Sequence, residues 1–184
     1  MNTADEMYKY AVEKGFGTGW NKTWGVKHFN VIERNLMPKE QVLMTFIGLH
    51  NYISVSKHDG NFAYAITNKR FIMGQKHLLF GEKIQTVYLE YINDITFKSG
   101  IALGTLTIDT IKEIFNVGMD KISAQAISEE IHKILDKQKH SQSSKKESLQ
   151  TSTADEILKY KNLLDIGAIS PEEFEKQKNK LLNK

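Results

Sequence analysis

The sequence predicts an α+β chain. A seven-stranded antiparallel barrel or sandwich is capped by a C-terminal helix, preceded by a helical extension and followed by a tethered two-helix tail. Three observations predict it. The apolar period switches from helical to alternating at Gln41 and back to helical near Asp120. Between those points seven short apolar segments are joined by turn-forming residues. Beyond them a polar stretch with one Leu and no aromatic residue precedes a last pair of amphipathic segments.

Residues 3–14 read as a helix. Thr3 is its cap, Asp5 and Glu6 sit in the first turn, and Met7, Tyr8, Ala11 and Val12 recur at helical spacing. GFGTGW, with Gly15, Gly17 and Gly19, connects it to a second helix from about Thr23 to Leu36. Trp24, Phe29, Ile32 and Leu36 are the apolar points of that helix, and Pro38 stops it. VLMTFIGLHNYIS then reads as one long strand ending in a KHDG turn, NFAYAIT as the next, and NK as a tight turn into RFIMGQK. After the HLLFGEK connection, IQTVYLEY, DITFKSG, GTLTIDT and KEIFNVG complete the set. Ile95 and Phe97 alternate with Thr96 and Lys98, and Leu106 and Ile108 with Thr105, Thr107 and Asp109, the pattern of strands with one wet face. Asp120 or Ser123 caps a helix to about Lys137, whose Ile127, Ile131, Ile134 and Leu135 form a stripe suited to the open end of the sheet.

The ordering entropy of residues 138–153 exceeds what so few apolar side chains repay, so they read as a flexible linker. Order resumes in ADEILKYKNLLDIG, with Ile157, Leu158, Leu163, Leu164 and Ile166 as apolar points and Gly167 as a left-handed stop. Ser170, Pro171 and Glu173 then form a capping box with proline at the first helical position, and Phe174, Leu181 and Leu182 carry the second stripe. Two helices this short are marginal in water unless they pack on something, so the tail requires a partner surface. The domain plan is a helical extension over 1–39, the barrel with its capping helix over 40–137, the linker over 138–153 and the two-helix tail over 154–184.

Composition narrows the chemistry. Among 184 residues there is no cysteine, which excludes disulfides, thiolate zinc sites and a cysteine nucleophile. The net charge of +3 is too small to argue for a nucleic-acid partner. Apolar runs are too short for a membrane-spanning helix, and the first residues are acidic where a signal peptide is basic, so a cytoplasmic protein is expected. Abundant Lys, Ile and Asn suggest an AT-rich bacterial or phage genome. His28, His50, His58, His77, His132 and His140 never fall three or four residues apart and read as surface or half-buried histidines, so no metal or cofactor is expected. His58 beside Asp59 reads as turn chemistry.

Two resemblances follow. Glu40 to Lys137 resembles the bacterial pleckstrin-homology-like (PH-like) domains of the YokE type, on the ITNKRFIM turn (Ile66 to Met73), the NDITFKSG strand (Asn93 to Gly100), the GTLTID strand and the closing helix. In that pattern Asn68 tolerates a positive φ in the turn, and Gly100 and Gly104 permit a sharp loop. The resemblance implies a PH-like seven-stranded barrel that binds a protein or peptide, with Lys69 and Arg70 stabilising the turn rather than touching a ligand. Phosphoinositide-binding relatives carry several basic residues at the first hairpin. Here Lys57 stands there with only His58 beside it, which weighs against that ligand. The tail from Ala154 to Leu182 resembles the SHOCT domain on Leu158, Leu164, Gly167, Ile169, Ser170, Glu173, Phe174, Lys178, Leu181 and Leu182. That resemblance implies oligomerisation or partner docking through Leu158, Leu164, Ile169, Phe174, Leu181 and Leu182.

The expected function is therefore a non-enzymatic binding or scaffold protein, joined through its tail to itself or to another protein. One alternative is a peripheral membrane module touching anionic lipid through Lys57, Lys145 and Lys146. Another is a nucleotide-binding protein or enzyme using the glycine-rich N-terminal loop. A phosphate loop, however, follows a strand, and the element before this one reads as helical. The sequence leaves open whether the N-terminal helices cover the barrel or swap onto a neighbour.

Overall fold

In the computed structural model, which describes residues 1–17, 21–77, 81–101, 103–148, 153–165 and 169–182, the chain starts with helix α1 (Ala4–Glu13). Its cap is reciprocal. Thr3 Oγ1 accepts from the Glu6 amide at 3.3 Å, and Glu6 Oε2 accepts from the Asn2 and Thr3 amides at 2.8 and 3.1 Å. The buried face is Ala4, Met7 and Ala11, so Val12 turns out to point to solvent. Asn21 Oδ1 caps α2 (Lys22–Glu33) by accepting from the Thr23 amide at 2.8 Å. This helix ends three residues before the expected Leu36, and the Asn35 side chain donates back to the Val31 carbonyl at 2.8 Å.

Seven antiparallel strands follow: β1 (Val42–His50), β2 (Asn61–Thr67), β3 (Arg70–Lys76), β4 (Glu82–Tyr88), β5 (Ile92–Ser99), β6 (Gly104–Thr110) and β7 (Ile114–Met119). They form one sheet in the order β4-β3-β2-β1-β7-β6-β5, and helix α3 (Lys121–Ser148) follows. This is the α+β, PH-like arrangement. Strand β1 stops earlier than its apolar run suggests. Asn51 takes φ +51°, and Tyr52 donates its amide to the Asn116 carbonyl of β7 at 3.0 Å, which leads Tyr52 to Gly60 away as a loop.

The two faces of β1, β2 and β3 serve different cores. Phe62, Tyr64 and Ile66 point inward with Met44, Phe46 and Phe71, where Leu106, Ile108, Val117 and the Ile127/Ile131 stripe of α3 meet them. Ala63, Ala65, Ile47 and Ile72 point outward against Met7, Phe29 and Ile32 of α1 and α2. The N-terminal helices therefore cover the sheet of their own chain. Each of Met7, Phe29 and Ile32 is fully buried, which stabilises by about 1.5–3 kcal/mol per side chain. Small residues let the helices come close. A Cβ on Gly74 would lie 3.0 Å from Ile32 and 3.3 Å from the His28 carbonyl.

The segment after α1 also completes the sheet. Strand β1 pairs with β7 only at Leu49 and His50, and two residues before Leu49 the Ile47 amide donates to the Phe16 carbonyl at 3.2 Å. Phe16 itself enters the inner core, and the Ser123 hydroxyl at the start of α3 donates to the Gly15 carbonyl at 2.6 Å. Gly17 sits at φ +116° with Ile47 so near that a Cβ would approach it to 2.9 Å.

At the start of α3, Asp120 proves to be the cap, accepting from the Ser123 amide at 2.9 Å. The helix passes the expected end at Lys137 and continues to Ser148, into the stretch expected to be a flexible linker. Residues 138–148 contain no Gly or Pro, and their Lys, Gln and Glu side chains lose little rotamer freedom in a helix. The rest of that stretch, up to residue 152, lies outside the described residues. Two compact units result, Met1–Gln138 and Lys139–Lys184.

Candidate functional site

The second unit contains α4 (Thr153–Asp165) and α5 (Pro171–Leu182), which pack together as a pair. Ser170 caps α5 in the expected box: its Oγ accepts from the Glu173 amide at 3.2 Å, and Glu173 Oε2 accepts from the Ser170 amide at 2.8 Å. The helix is thus locally well specified, yet it has no buried residue. Leu158 is 56% and Leu182 59% exposed, and Leu164, Ile169, Phe174 and Leu181 are half-buried. All six residues expected to make contacts lie in this unit, and none is fully covered. Two short helices bury one stripe of each against the other at most, so apolar surface remains. Ile166 and the expected helix stop at Gly167 lie outside the described residues.

The second exposed feature is the loop between β1 and β2. Ser54 and Lys57 bridge each other, with the Lys57 amide donating to the Ser54 carbonyl at 3.0 Å, and lift Lys57 into solvent. Ile53 (66% exposed) and Val55 (63%) stand beside it. The sequence reading missed both because it ran the strand through them. The positive-φ tolerance of Asn51 was the available signal. His58 is turn chemistry: its Nδ1 accepts from the Gly60 amide at 2.9 Å. Lys57 belongs to the first unit. Lys145 and Lys146 belong to the second, where their backbone lies in α3 and their side chains fall outside the described residues.

The Thr-Asn-Lys-Arg turn is occupied with structure. Arg70 Nε and Nη2 donate to the two Glu40 carboxylate oxygens at 2.9 Å each, and Nη2 also donates to the Asn35 carbonyl at 2.6 Å. Burial raises the Glu40 pKa, but the bonds from Arg70, the Met37 amide and Thr67 outweigh it, so the carboxyl ends below its ordinary value. Lys69 Nζ donates to the Pro38 carbonyl at 3.0 Å. Asn68 does not take a positive φ. It pairs with Gln41 instead, accepting that residue's amide at 2.9 Å through Oδ1.

Two histidines expected at or near the surface are fully buried. His50 shares a 3.0 Å hydrogen bond with the Tyr64 hydroxyl, inside a stack in which Phe46 and Tyr64 lie 4.7 Å apart. Burial first, then the charge of Lys83, pushes its pKa down to about 4. His28 is buried on α2 beside a group of basic residues that the sequence reading did not single out. Their only sequence signal was Lys27 set between Trp24 and His28. The glycine-rich loop follows a helix, not a strand, and Gly17 serves close packing; Gly19 lies outside the described residues. Among the described residues no group of three or more His, Asp or Glu could hold a metal ion, and no helix is long and apolar enough to cross a membrane.

Two family models match the chain. The bacterial PH domain model matches residues 36–143, more than half of the chain. The chain belongs to the bacterial PH domain family. The SHOCT model, a short C-terminal domain, matches residues 155–182 and so covers the α4–α5 pair. No curated protein matches the chain. Among solved structures, the hSac2 domain from human phosphoinositide phosphatase Sac2 is similar at 13% identity and a TM-score of 0.41, over 62% of this chain and 85% of that one. The PH match begins at Leu36, so α1 and α2 precede it, although they supply one of the two cores of the PH sheet.

Proposed function

We propose that the chain is a non-enzymatic bacterial binding protein, in which the PH unit recognises a protein or peptide and the SHOCT pair mediates oligomerisation or docks a partner. One observation carries this reading. The PH unit has two complete cores, whereas the tail is well capped but has no buried residue in α5. Capping sets the helix in place, and only another surface covers Leu158, Phe174 and Leu182. The test is light scattering of the full chain and of Phe174→Asp at several concentrations. The wild type is expected to be an oligomer whose mass falls to that of the monomer in the variant. An oligomer unchanged by the substitution removes self-association through the tail, and a monomeric wild type leaves docking to a different protein.

A second reading, contact with an anionic membrane, is favoured by Ile53 and Val55 flanking Lys57 at one loop tip. It expects pelleting with anionic vesicles that salt weakens and that the combined neutralisation of Lys57, Lys145 and Lys146 removes.

A further inference from the structure

A cavity of about 200 Å³ opens between α2 and the end of β3. Helix α2 contributes Trp24, Lys27, His28 and Asn30, with Arg34 just beyond its end, and β3 contributes Lys76 followed by His77. Five of these seven side chains are basic in type. One carboxylate answers them: Glu82 Oε1 bonds both Lys76, at 3.0 Å, and Arg34. Lys27 forms no ion pair among the described residues. Three permanent cations therefore face one acid, and the cavity carries uncompensated positive charge.

His28 adds a requirement that charge alone does not. Its ring stacks on Trp24 with centroids 3.7 Å apart, and its Nδ1 lies 3.0 Å from the Trp24 carbonyl. A carbonyl only accepts, so Nδ1 carries the hydrogen, and Nε2 of the neutral ring presents a lone pair. That Nε2 is buried and has no hydrogen-bond partner among the described residues, so a ligand in the cavity that His28 lines reaches it with a shift of the His28 ring or of the Trp24 ring stacked on it. Burial, and to a smaller extent the nearby His77, lowers the His28 pKa despite the Trp24 bond, which keeps the ring neutral. The site thus calls for a ligand that is anionic toward Lys27, Arg34 and Lys76 and also offers one proton to His28.

We infer that this pocket binds a terminal phosphate group, inorganic or a monoester, with its oxygens on Lys27, Arg34 and Lys76 and its P–OH toward His28 Nε2. Inorganic phosphate keeps one P–OH as the dianion present near neutral pH, and a monoester keeps one as its monoanion, so in those forms each is both acceptor and donor. Sulfate has the same shape and charge but no proton to give. Five of the seven lining residues precede the segment matched by the PH family model, and Lys76 and His77 lie within it, so the site forms only where the N-terminal extension docks on β3.

The experiment is isothermal titration of the full chain with inorganic phosphate, then with sulfate, at constant ionic strength. Saturable phosphate binding at least about tenfold tighter than sulfate is expected, the worth of one hydrogen bond to a charged group. Lys27→Ala, at an exposed position that leaves the core intact, is expected to weaken phosphate by about tenfold. His28→Phe is expected to bring phosphate down to the level of sulfate, with thermal melting used to establish that it folds. Glucose 6-phosphate and vesicles containing phosphatidic acid tell a soluble monoester from a lipid headgroup, by which of them binds in a Lys27-dependent way. No saturable binding of any phosphate, equal affinity for sulfate and phosphate, or a Lys27→Ala protein that binds as well as wild type would each overturn the assignment.

Discussion

Strand β2 and strand β6 lie in the same sheet, separated by β1 and β7, yet they differ in kind. Along β2 every residue from Phe62 to Thr67 is buried, while along β6 buried Leu106 and Ile108 alternate with half-exposed Thr105, Thr107 and Asp109. Antiparallel sheets usually leave one face wet, and β6 follows that rule. Strand β2 departs from it because α1 and α2 lie on its outer face. The side chains record the two layers, with Phe62, Tyr64 and Ile66 inward and the small Ala63 and Ala65 outward beneath the helices. A continuous apolar run in an antiparallel strand is thus the mark of a second layer, and here that layer comes from a segment outside the family match.

The strongest way to break this contrast is to remove the second layer. A chain beginning at Glu40 exposes Ile47, Ala63, Ala65 and Ile72, and loses Phe16 from the inner core. It is expected to lose cooperative thermal unfolding and to aggregate, as followed by melting and light scattering. Cooperative unfolding retained in that version would show the helices to be a cover without structural weight.

Acid sharpens the comparison from the inner side of the same strands. The His50 pKa is about 4 in the folded chain against an ordinary value of 6.5. Between those values the unfolded chain takes up a proton that the folded one refuses. The stabilisation is therefore complete above pH 6.5 and declines as pH falls toward 4, by about 3 kcal/mol. Glu40, held below its ordinary value, adds a further loss only as pH falls below the ordinary carboxylate range. Denaturant midpoints at pH 7 and pH 4.5 check this, and in His50→Gln the decline between 6.5 and 4 should shrink to the part contributed by His28, whose pKa burial also lowers.

The smallest effects come from a matched pair of substitutions. Gly74→Val pushes a side chain into Ile32 and the α2 backbone, and should destabilise by about 1–3 kcal/mol. Thr96→Val, on the exposed face of β5, should stay within about 0.5 kcal/mol. Denaturant midpoints read both. Similar values for the two would contradict a helix layer confined to one half of the sheet.

Much of the fold was legible in local pattern. The capping boxes at Thr3 and Ser170, the tight turn from Thr67 to Arg70 and the alternation along β5 and β6 involve neighbours a few residues apart, and each formed as its spacing requires. The candidate contact residues of the tail were legible for the same reason, since a stripe at helical spacing is visible without a partner. The places that went otherwise depend on distant residues. Val12 faces water because the sheet lies on the other side of α1, and β1 ends at His50 because Tyr52 finds Asn116.

The sequence by itself determined the elements, their order, the PH and SHOCT segments and the absence of any cysteine chemistry. Propensity, capping and period act over a few residues, and those are written consecutively in the chain. Only the tertiary structure decided that α1 and α2 close over β1 to β3, that His28 and His50 are buried, and that Lys27, Arg34 and Lys76 meet around one cavity. Burial and charge act through space, and Arg34 and Lys76 become neighbours only once α2 has docked across the small residues of the sheet.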